Sequence, residues 1–162
     1  AQMVELNPQP FDFAKAFDAH CYAGWGNYQK ENVRYKVENP YETLIIEIDD
    51  TYIGMIIGQL TANAAQYTQN GSIVAHYEYM DNKLFITVED SGTGITADQL
   101  SHVFDRFAAT SDGHTGLGLP ICKGLTEFMG GTIEIHSEEG RGTIVWVTIP
   151  CKAHVIERKK EL

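Results

Sequence analysis

Residues 83–94 read KLFITVEDSGTG, and this stretch places a chemically distinctive turn at the end of a strand. Residues 83–89 are predicted to form the strand, which delivers its last side chain at Asp90. A carboxylate there could accept a hydrogen bond from an exocyclic amine, while Gly92 and Gly94 would let a planar or phosphorylated ligand approach the backbone closely. Taken alone, the same pattern also fits a tight acidic turn after an edge strand.

The elements on either side of this strand follow from side-chain periodicity. Apolar residues three and four apart predict helices, whereas alternating or β-branched runs predict strands. The predicted helices cover residues 11–22, 51–68, 96–107 and 116–129, and the predicted strands cover residues 33–38, 43–48, 72–79, 83–89, 132–137 and 143–149. Consecutive strands are expected to pair, the first two around Pro40 and the next two through Asp81-Asn82.

Strands in pairs with helices between them favour a mixed, mainly antiparallel sheet with about three helices on one face. The predicted fold class is therefore α/β in the α+β sense, a two-layer α/β sandwich. Residues 11–150 are expected to form the one domain. A lead-in segment over residues 1–10 precedes it, and a charged tail over residues 151–162 follows it.

Composition limits the range of functions. The formal net charge of -10 argues against a nucleic-acid partner, because such proteins bind phosphates through clustered Lys and Arg. No apolar run approaches the ~18 residues that a membrane helix needs, so the chain itself is not expected in a membrane. The three cysteines have no CxxC spacing, which argues against a disulfide framework and a zinc site.

A second motif, GHTGLGL over residues 113–119, leads directly into the predicted fourth helix. Unpaired backbone N–H groups at a helix N-terminus, together with the helix dipole, bind phosphate without a basic side chain. The motif lacks the Gly-Lys-Ser/Thr ending of a Walker loop, and no strand precedes it at the distance of a dinucleotide fingerprint. An ordinary glycine-rich hinge is the alternative interpretation.

A third motif lies on the predicted second helix. Gln59 and Asn63 are four residues apart, and Gln66 and Tyr67 follow one turn later, so amide side chains border the apolar face. An amide oxygen suits Mg²⁺, a hard cation that keeps waters and shares substrate phosphates. The alternative is a solvated polar stripe.

In order along the chain, the motifs N-x-A-x-Y-T, D-x-G-x-G, V-F-D-R-F and G-x-G-L resemble the ATP-binding catalytic domain of bacterial sensor histidine kinases. They correspond to that family's N, G1, F and G2 boxes, and the resemblance covers residues from about 10 to 150. It implies a Bergerat fold that binds ATP and Mg²⁺.

The resemblance also assigns roles to individual residues. Asn63 corresponds to the Mg²⁺ ligand, and Gln59 stands beside it at a catalytic position. Asp90 corresponds to the residue that binds the adenine amine. The residues given nucleotide-binding roles are Asn63, Tyr67, Asp90, Gly92, Gly94, Phe104, Arg106, Phe107, Thr115, Gly116, Leu117, Gly118, Leu119 and Thr143.

Three positions depart from the family pattern. Gln59 stands where Asn is common, Gln66 where Lys is common and Ala109 where Arg is common. Phosphate neutralisation would therefore fall on Mg²⁺, the helix terminus at Gly116 and Arg106, so weak affinity or turnover is expected. An amide at Gln59 cannot take a proton from water, which disfavours hydrolysis and leaves transfer to a protein side chain open.

None of the six histidines has the H-E-x-x-T-P setting in which the family presents its phosphoacceptor. The chain is thus expected to be a cytoplasmic fragment of a membrane-anchored sensor. Its expected partners are the histidine-bearing dimerisation helices of that sensor and a response regulator receiver domain. Two alternatives remain: an anti-sigma-type serine kinase on the same fold, and a pseudokinase that serves as a nucleotide-binding docking module.

Overall fold

The structure is a computed structural model that describes residues 5–105 and 118–160. Its elements, in chain order, are β1 (Gln9–Asp12), α1 (Phe13–Trp25), β2 (Val33–Glu38), β3 (Tyr41–Ile48), α2 (Asp50–Tyr67), β4 (Gly71–Met80), β5 (Lys83–Asp90), α3 (Ala97–Leu100), α4 (Gly118–Phe128), β6 (Thr132–Glu138), β7 (Gly142–Pro150) and β8 (Ala153–Arg158). The predicted mixed α/β architecture is confirmed.

The larger sheet has five strands in the order β2-β4-β5-β7-β6. Only the β2–β4 pair in it is parallel, and the other three pairs are antiparallel. The predicted β4–β5 hairpin is confirmed, with positive φ angles of 54° at Asp81 and 59° at Asn82. Asn and Asp tolerate this left-handed region, which two-residue hairpin loops require.

The predicted pairing of residues 33–38 with 43–48 is wrong. β2 pairs with β4, whereas β3 joins a second, three-stranded sheet in the order β1-β3-β8. The separation has a physical cause at Asn39. Its amide nitrogen donates to the Ala14 carbonyl at 2.7 Å, and its amide oxygen accepts from the Tyr77 hydroxyl. These contacts fix Asn39 against α1 and β4, so the chain passes from one sheet to the other instead of folding back as a hairpin.

Strands lie beyond both ends of the predicted domain, residues 11–150. β1 includes Gln9 and Pro10 from the predicted lead-in segment, and β8 falls within the predicted charged tail. Each strand pairs antiparallel with β3, so residues on both sides of 11–150 contribute strands to the smaller sheet. These strands were missed because β1 is very short and the β8 sequence is highly charged.

The third helix is shorter than predicted. The capping box at its start is confirmed, since the Thr96 hydroxyl accepts from Gln99 N–H at 3.2 Å and the Gln99 side chain accepts from Thr96 N–H. The helix nevertheless ends at Leu100, and turns follow to residue 105. The Ser101 hydroxyl donates to the Asp98 carbonyl at 2.7 Å, a local bond that competes with helix continuation.

The helical layer packs on one face of the larger sheet. α2 contacts β4 and β5 on one side and both α1 and α4 on the others. α1 and α2 approach so closely that a Cβ on Gly24 would lie 2.1 Å from the Thr61 hydroxyl. The described residues include no helix long and apolar enough to cross a membrane.

Tyr41 joins the two sheets through its buried hydroxyl. The Tyr41 oxygen accepts from the Tyr79 N–H at 3.0 Å and lies 3.1 Å from the Tyr79 carbonyl, both on β4. It also accepts from the Arg158 guanidinium of β8 at 3.0 Å, and Arg158 pairs with Glu78 of β4. One phenol therefore connects β3, β4 and β8.

We predict that Tyr41→Phe lowers the free energy of unfolding by about 1–3 kcal/mol, because it leaves buried polar partners without the hydroxyl. Urea denaturation measures the change. Tyr22→Phe is the matched control, since Tyr22 is 55% exposed and should shift stability by less than about 0.5 kcal/mol. Equal destabilisation by the two variants would contradict the role assigned to Tyr41.

Candidate functional site

Asp90 ends β5 and is 8% exposed. Its carboxylate accepts from the Gly92 N–H at 2.9 Å and from the backbone N–H of Thr143. Burial raises the pKa of this carboxyl to about 6, and the two amide donors counteract part of that rise. A half-solvated turn residue would have neither this burial nor this shift, so the geometry favours a binding residue over a plain acidic turn.

A small cavity lies between α2 and the adjacent ends of β5 and β7. Four of its polar lining residues were predicted from sequence as site residues. Asn63 and Tyr67 reach it from consecutive turns of α2, and Asp90 and Thr143 face each other in the β5–β7 register. The fold thus brings together residues from two separate sequence motifs and Thr143, which lies outside the motifs.

The apolar walls of this cavity were missed by sequence reasoning. They are formed by Leu60, Ala64, Val88, Ile95 and Val145. A signal for most of them existed, because residues two apart on a strand share a face and residues three or four apart on a helix do the same. Val88 precedes Asp90 by two, and Val145 follows Thr143 by two, so both could have been found from the predicted strands.

The loop after Asp90 is held between two elements. Thr93 N–H donates to the Tyr67 carbonyl at 3.1 Å, and Gly140 N–H donates to the Thr93 carbonyl at 2.7 Å. A Cβ on Gly92 would lie 2.3 Å from the Tyr67 oxygen. Gly94 has φ +72°, and its Cβ would lie 2.1 Å from the Glu138 oxygen. Close backbone packing therefore requires both glycines, quite apart from their predicted contact with a ligand.

Lys30 fixes the C-terminal end of α2, which carries Asn63 and Tyr67. Its ammonium group donates to the Ala65 carbonyl at 2.6 Å and to the Thr68 carbonyl at 2.9 Å. A cation is favourable at this negative end of the helix dipole. The α2 residues that line the cavity are thereby anchored to the loop between α1 and β2.

The start of α4 lies beside Gln59. The Gln59 side-chain oxygen is 3.1 Å from the position a Cβ would take on Gly118. Leu119, the next residue, is 4% exposed, and the thiol of Cys122 lies 3.7 Å from the Ile56 carbonyl of α2. Gln59 and Gly118 were predicted as site residues from different motifs, and the structure places them next to each other. Leu119 is a core residue.

Phe104 packs against the hydrophobic core and lies under a lysine from α4. The Lys123 ammonium is 5.1 Å from the centre of the Phe104 ring and 3.7 Å from a Glu127 carboxylate oxygen. Lys123 thus contacts the Phe104 ring and a carboxylate of its own helix. The remaining predicted residues Arg106, Phe107, Thr115, Gly116 and Leu117 lie outside the described residues, as does Ala109.

Among residues 5–105 and 118–160, no cluster of three or more His, Cys, Asp and Glu side chains could hold a metal ion. The Asn63 side chain makes no hydrogen bond to another described residue while it lines the cavity. A single amide oxygen fits the chemistry of Mg²⁺ that arrives with phosphate oxygens and water, and it does not fit a metal held by the protein alone.

The fold is an α/β sandwich with a small cavity lined by a buried carboxylate. Residues 48–153 match the family of histidine kinase-, DNA gyrase B- and HSP90-like ATPases. The match covers more than half of the chain, and the chain therefore belongs to that family.

Sensor kinases are prominent among its relatives. The chain is 35% identical over 161 residues to the sensor-like histidine kinase R01002 of Rhizobium meliloti, a match that covers 94% of this chain and 30% of that protein. It is 30% identical to the aerobic respiration control sensor protein ArcB of Escherichia coli, with 90% of this chain and 20% of ArcB covered. The chain thus spans a minor part of the length of these relatives.

Solved structures agree with the sequence relatives. The catalytic domain of the histidine kinase ThkA superposes with a TM-score of 0.74 at 28% identity, over 89% of this chain and 95% of that one. Full-length ShkA in complex with AMPPNP superposes with a TM-score of 0.80 at 24% identity, over 95% of this chain and 33% of that one. The second similarity concerns the fold alone.

We predict that Asp90→Asn stabilises the nucleotide-free domain at neutral pH. The folded-state pKa of about 6 exceeds the ordinary 3.8, so the folded protein binds more protons than the unfolded chain between these values. Wild-type stability should therefore fall as pH rises from about 4 to about 6, by up to about 3 kcal/mol.

Urea denaturation at a series of pH values measures this difference. The variant should lack that component of the pH dependence and should match wild type most closely near pH 4. Parallel stability curves for the two proteins over the whole range would contradict the assignment of a buried, costly carboxylate to Asp90.

Proposed function

We propose that this chain is the ATP- and Mg²⁺-binding catalytic domain of a sensor histidine kinase, which donates the γ-phosphoryl group of ATP to a histidine on another segment. The observation that carries the proposal is Asp90. It is a buried carboxylate at the end of a cavity whose walls are apolar and whose opposite side carries Asn63.

Asp90 would recognise the base by accepting a hydrogen bond from its exocyclic amine. The carboxylate needs no reorganisation for this role, because the N–H groups of Gly92 and Thr143 already hold it. Leu60, Val88 and Val145 supply apolar surface against which an aromatic base can pack. Binding energy would thus come from apolar contact, and selectivity from one charged acceptor.

Asn63 would contribute one oxygen ligand to Mg²⁺, with the phosphates and water supplying the others. When bound, Mg²⁺ neutralises phosphate charge and orients the γ-phosphoryl group. The cavity lining has no Lys or Arg among the described residues. The neutral Gln66, at a position where the family has Lys, adds no charge, so nucleotide affinity should depend strongly on the divalent cation.

Transfer is favoured over hydrolysis by the side chain at Gln59. An amide cannot serve as the general base that activates water, and Gln59 lies against the start of α4 instead of lining the cavity. A nucleophile must therefore be supplied by a positioned partner. Phosphoryl transfer of this kind relies mainly on alignment and electrostatics, with little covalent chemistry demanded of the donor domain.

We place the acceptor histidine on dimerisation helices of the parent sensor. The described histidines have other partners or settings: His20 pairs with Asp50, His102 with Asp105 and His154 with Glu47. A response regulator receiver domain would then take the phosphoryl group from the acceptor histidine. The names of the relatives, which are sensor histidine kinases, support these partners.

A nucleotide-binding pseudokinase is the second candidate, and the uncharged Gln59 and Gln66 favour it. Labelled ATP supplied to the full cytoplasmic region of the parent sensor separates the two candidates. Label that appears on a histidine and disappears in acid supports the kinase. ATP binding without label on any residue supports the pseudokinase.

We predict saturable binding of ATP to this chain in the presence of Mg²⁺. Amide resonances of Gly92, Gly94 and Thr143 should shift in NMR titrations, because these residues surround the Asp90 carboxylate. Asp90→Asn should abolish the shifts while the protein stays folded. The NH₂ group of Asn would face the amine of the base, and two hydrogen-bond donors cannot pair. Unchanged titrations of the variant would contradict the proposed base recognition.

We predict that Asn63→Ala weakens ATP binding in Mg²⁺ by about tenfold, the loss expected for one charge-assisted ligand. Binding measured with excess chelator should change much less, because the phosphates then lack the cation. Calorimetry under the two conditions measures the difference. Gln66→Ala, one turn further along α2, is the matched control and should leave the Mg²⁺ dependence unaltered. An equal loss with and without Mg²⁺ would indicate that Asn63 contacts the nucleotide directly.

A further inference from the structure

Ser137 on β6 makes three contacts with a single hydroxyl. Its oxygen lies 2.7 Å from the Ile95 nitrogen, 3.1 Å from the Gly142 carbonyl oxygen and 2.8 Å from the Thr143 hydroxyl oxygen. Ser137 was not among the residues predicted from sequence. It stands directly opposite Thr143 in the β6–β7 register, and Thr143 stands opposite Asp90 in the β5–β7 register.

The direction of each hydrogen bond follows from counting protons. The Ile95 N–H can only donate, so Ser137 accepts there, and the Gly142 carbonyl can only accept, so Ser137 gives its one proton to it. The Thr143 hydroxyl must then donate to Ser137 if all three contacts are to be satisfied. This assignment turns the Thr143 proton away from the cavity and leaves its oxygen there as an acceptor.

Asp90 and Thr143 therefore present the same hydrogen-bonding character to a ligand. Both are nearly buried, at 8% and 7% exposure, and both line the cavity. The backbone N–H of Thr143 is already committed to the Asp90 carboxylate. At this end of the cavity the side chains of Asp90 and Thr143 are both hydrogen-bond acceptors. Two acceptors can bind an exocyclic amine, but they disfavour a carbonyl oxygen at the same place.

We propose that Ser137 is a positioning residue that sets nucleobase specificity by fixing the Thr143 hydroxyl as an acceptor. The inference rests on the proposed function and extends it from binding to discrimination. Its consequence is selection of bases that carry an amine over bases that carry oxygen at that position. Bases that carry oxygen at that position would bind more weakly, because the protein acceptors and the carbonyl oxygen have no hydrogen to share and stay unpaired.

Ser137 also holds the wall of the cavity. Ile95, whose N–H it accepts, is 5% exposed and lines the cavity as well. A purely structural role for Ser137 is therefore the competing explanation. The two explanations differ in one respect: a loosened wall weakens every ligand, whereas a freed Thr143 hydroxyl improves the fit of a carbonyl-bearing base.

The test compares ATP with inosine triphosphate, which carries oxygen in place of the amine and a hydrogen on the adjacent ring nitrogen. Because that N–H is present in every measurement with inosine triphosphate, the effect of Ser137 is read from the change between variants and not from the wild-type ratio alone. Calorimetry at about pH 8 keeps Asp90 ionised. In Ser137→Ala the Thr143 hydroxyl can rotate and donate into the cavity. We expect inosine triphosphate to bind this variant about fivefold tighter than it binds wild type, while ATP binds more weakly. Ser137→Thr, which keeps the hydroxyl, should restore the wild-type preference.

The double variant Ser137→Ala with Thr143→Val completes the experiment. It lacks the Thr143 hydroxyl, so the tighter binding of inosine triphosphate expected for Ser137→Ala should disappear. Weaker binding of both nucleotides to Ser137→Ala by the same factor would overturn the inference and leave the proposed function intact. Absence of saturable ATP binding to the wild-type chain would overturn the proposed function and the inference together. Should Ser137→Ala fail to fold by circular dichroism, Ser137→Cys, whose sulfur is a poor acceptor of similar size, makes the same comparison.

Discussion

The buried carboxylate of Asp90 is the constraint on which the site depends. An ionised group at 8% exposure is costly unless donors surround it, and the N–H groups of Gly92 and Thr143 supply them. Each donor comes from a different part of the chain: one from the loop after β5, the other from β7. The sheet must therefore place β7 beside β5, and the loop must turn back sharply, before the carboxylate can be accommodated. Burial nevertheless raises its pKa to about 6, so these donors offset only part of the cost, and carboxylates shifted in this way are common at binding sites.

The loop geometry follows from this requirement. The backbone N–H of Thr93 is hydrogen-bonded to the end of α2, and its carbonyl is hydrogen-bonded to the β6–β7 turn. The loop is therefore fixed between the helix and the sheet. Gly92 and Gly94 are needed because side chains would meet backbone oxygens at about 2 Å. The helix end must itself be fixed, and Lys30 does this by capping the carbonyls of Ala65 and Thr68. Asn63 and Tyr67 thus owe their positions to a lysine far away in sequence.

Much of this could be predicted from sequence where the information is local. Strand alternation and turn chemistry identified β4 and β5 with their Asp81-Asn82 loop, and three of the four polar residues of the cavity came from recognisable motifs. The partition into two sheets could not be predicted, since it depends on Asn39 binding α1 and Tyr77 through contacts distant in sequence. β8 was not predicted for a related reason. Its charged sequence is typical of a tail, and only its pairing with β3 and the Arg158–Glu78 contact make it a strand. Ser137 likewise has no local signal, because its importance comes from standing opposite Thr143.

The arrangement of donors and acceptors in the cavity also bears on how an acidic protein could bind a nucleotide, which is itself negatively charged. The chain has a net charge of -10, but the cavity lining contains one carboxylate and no cationic side chain among the described residues. Recognition there depends on which groups donate and which accept, and backbone geometry fixes that pattern. Asp90 accepts because it is a carboxylate held by two amides, and in the proposed arrangement Thr143 accepts because its own hydrogen is donated to the Ser137 oxygen. A base that offers hydrogens would then meet groups already oriented for it, and little entropy would be lost on binding. In the proposed function, phosphates that meet no lysine or arginine among the described cavity residues would rely on a cation that the ligand itself brings, and nucleotide affinity would be coupled to divalent-cation concentration.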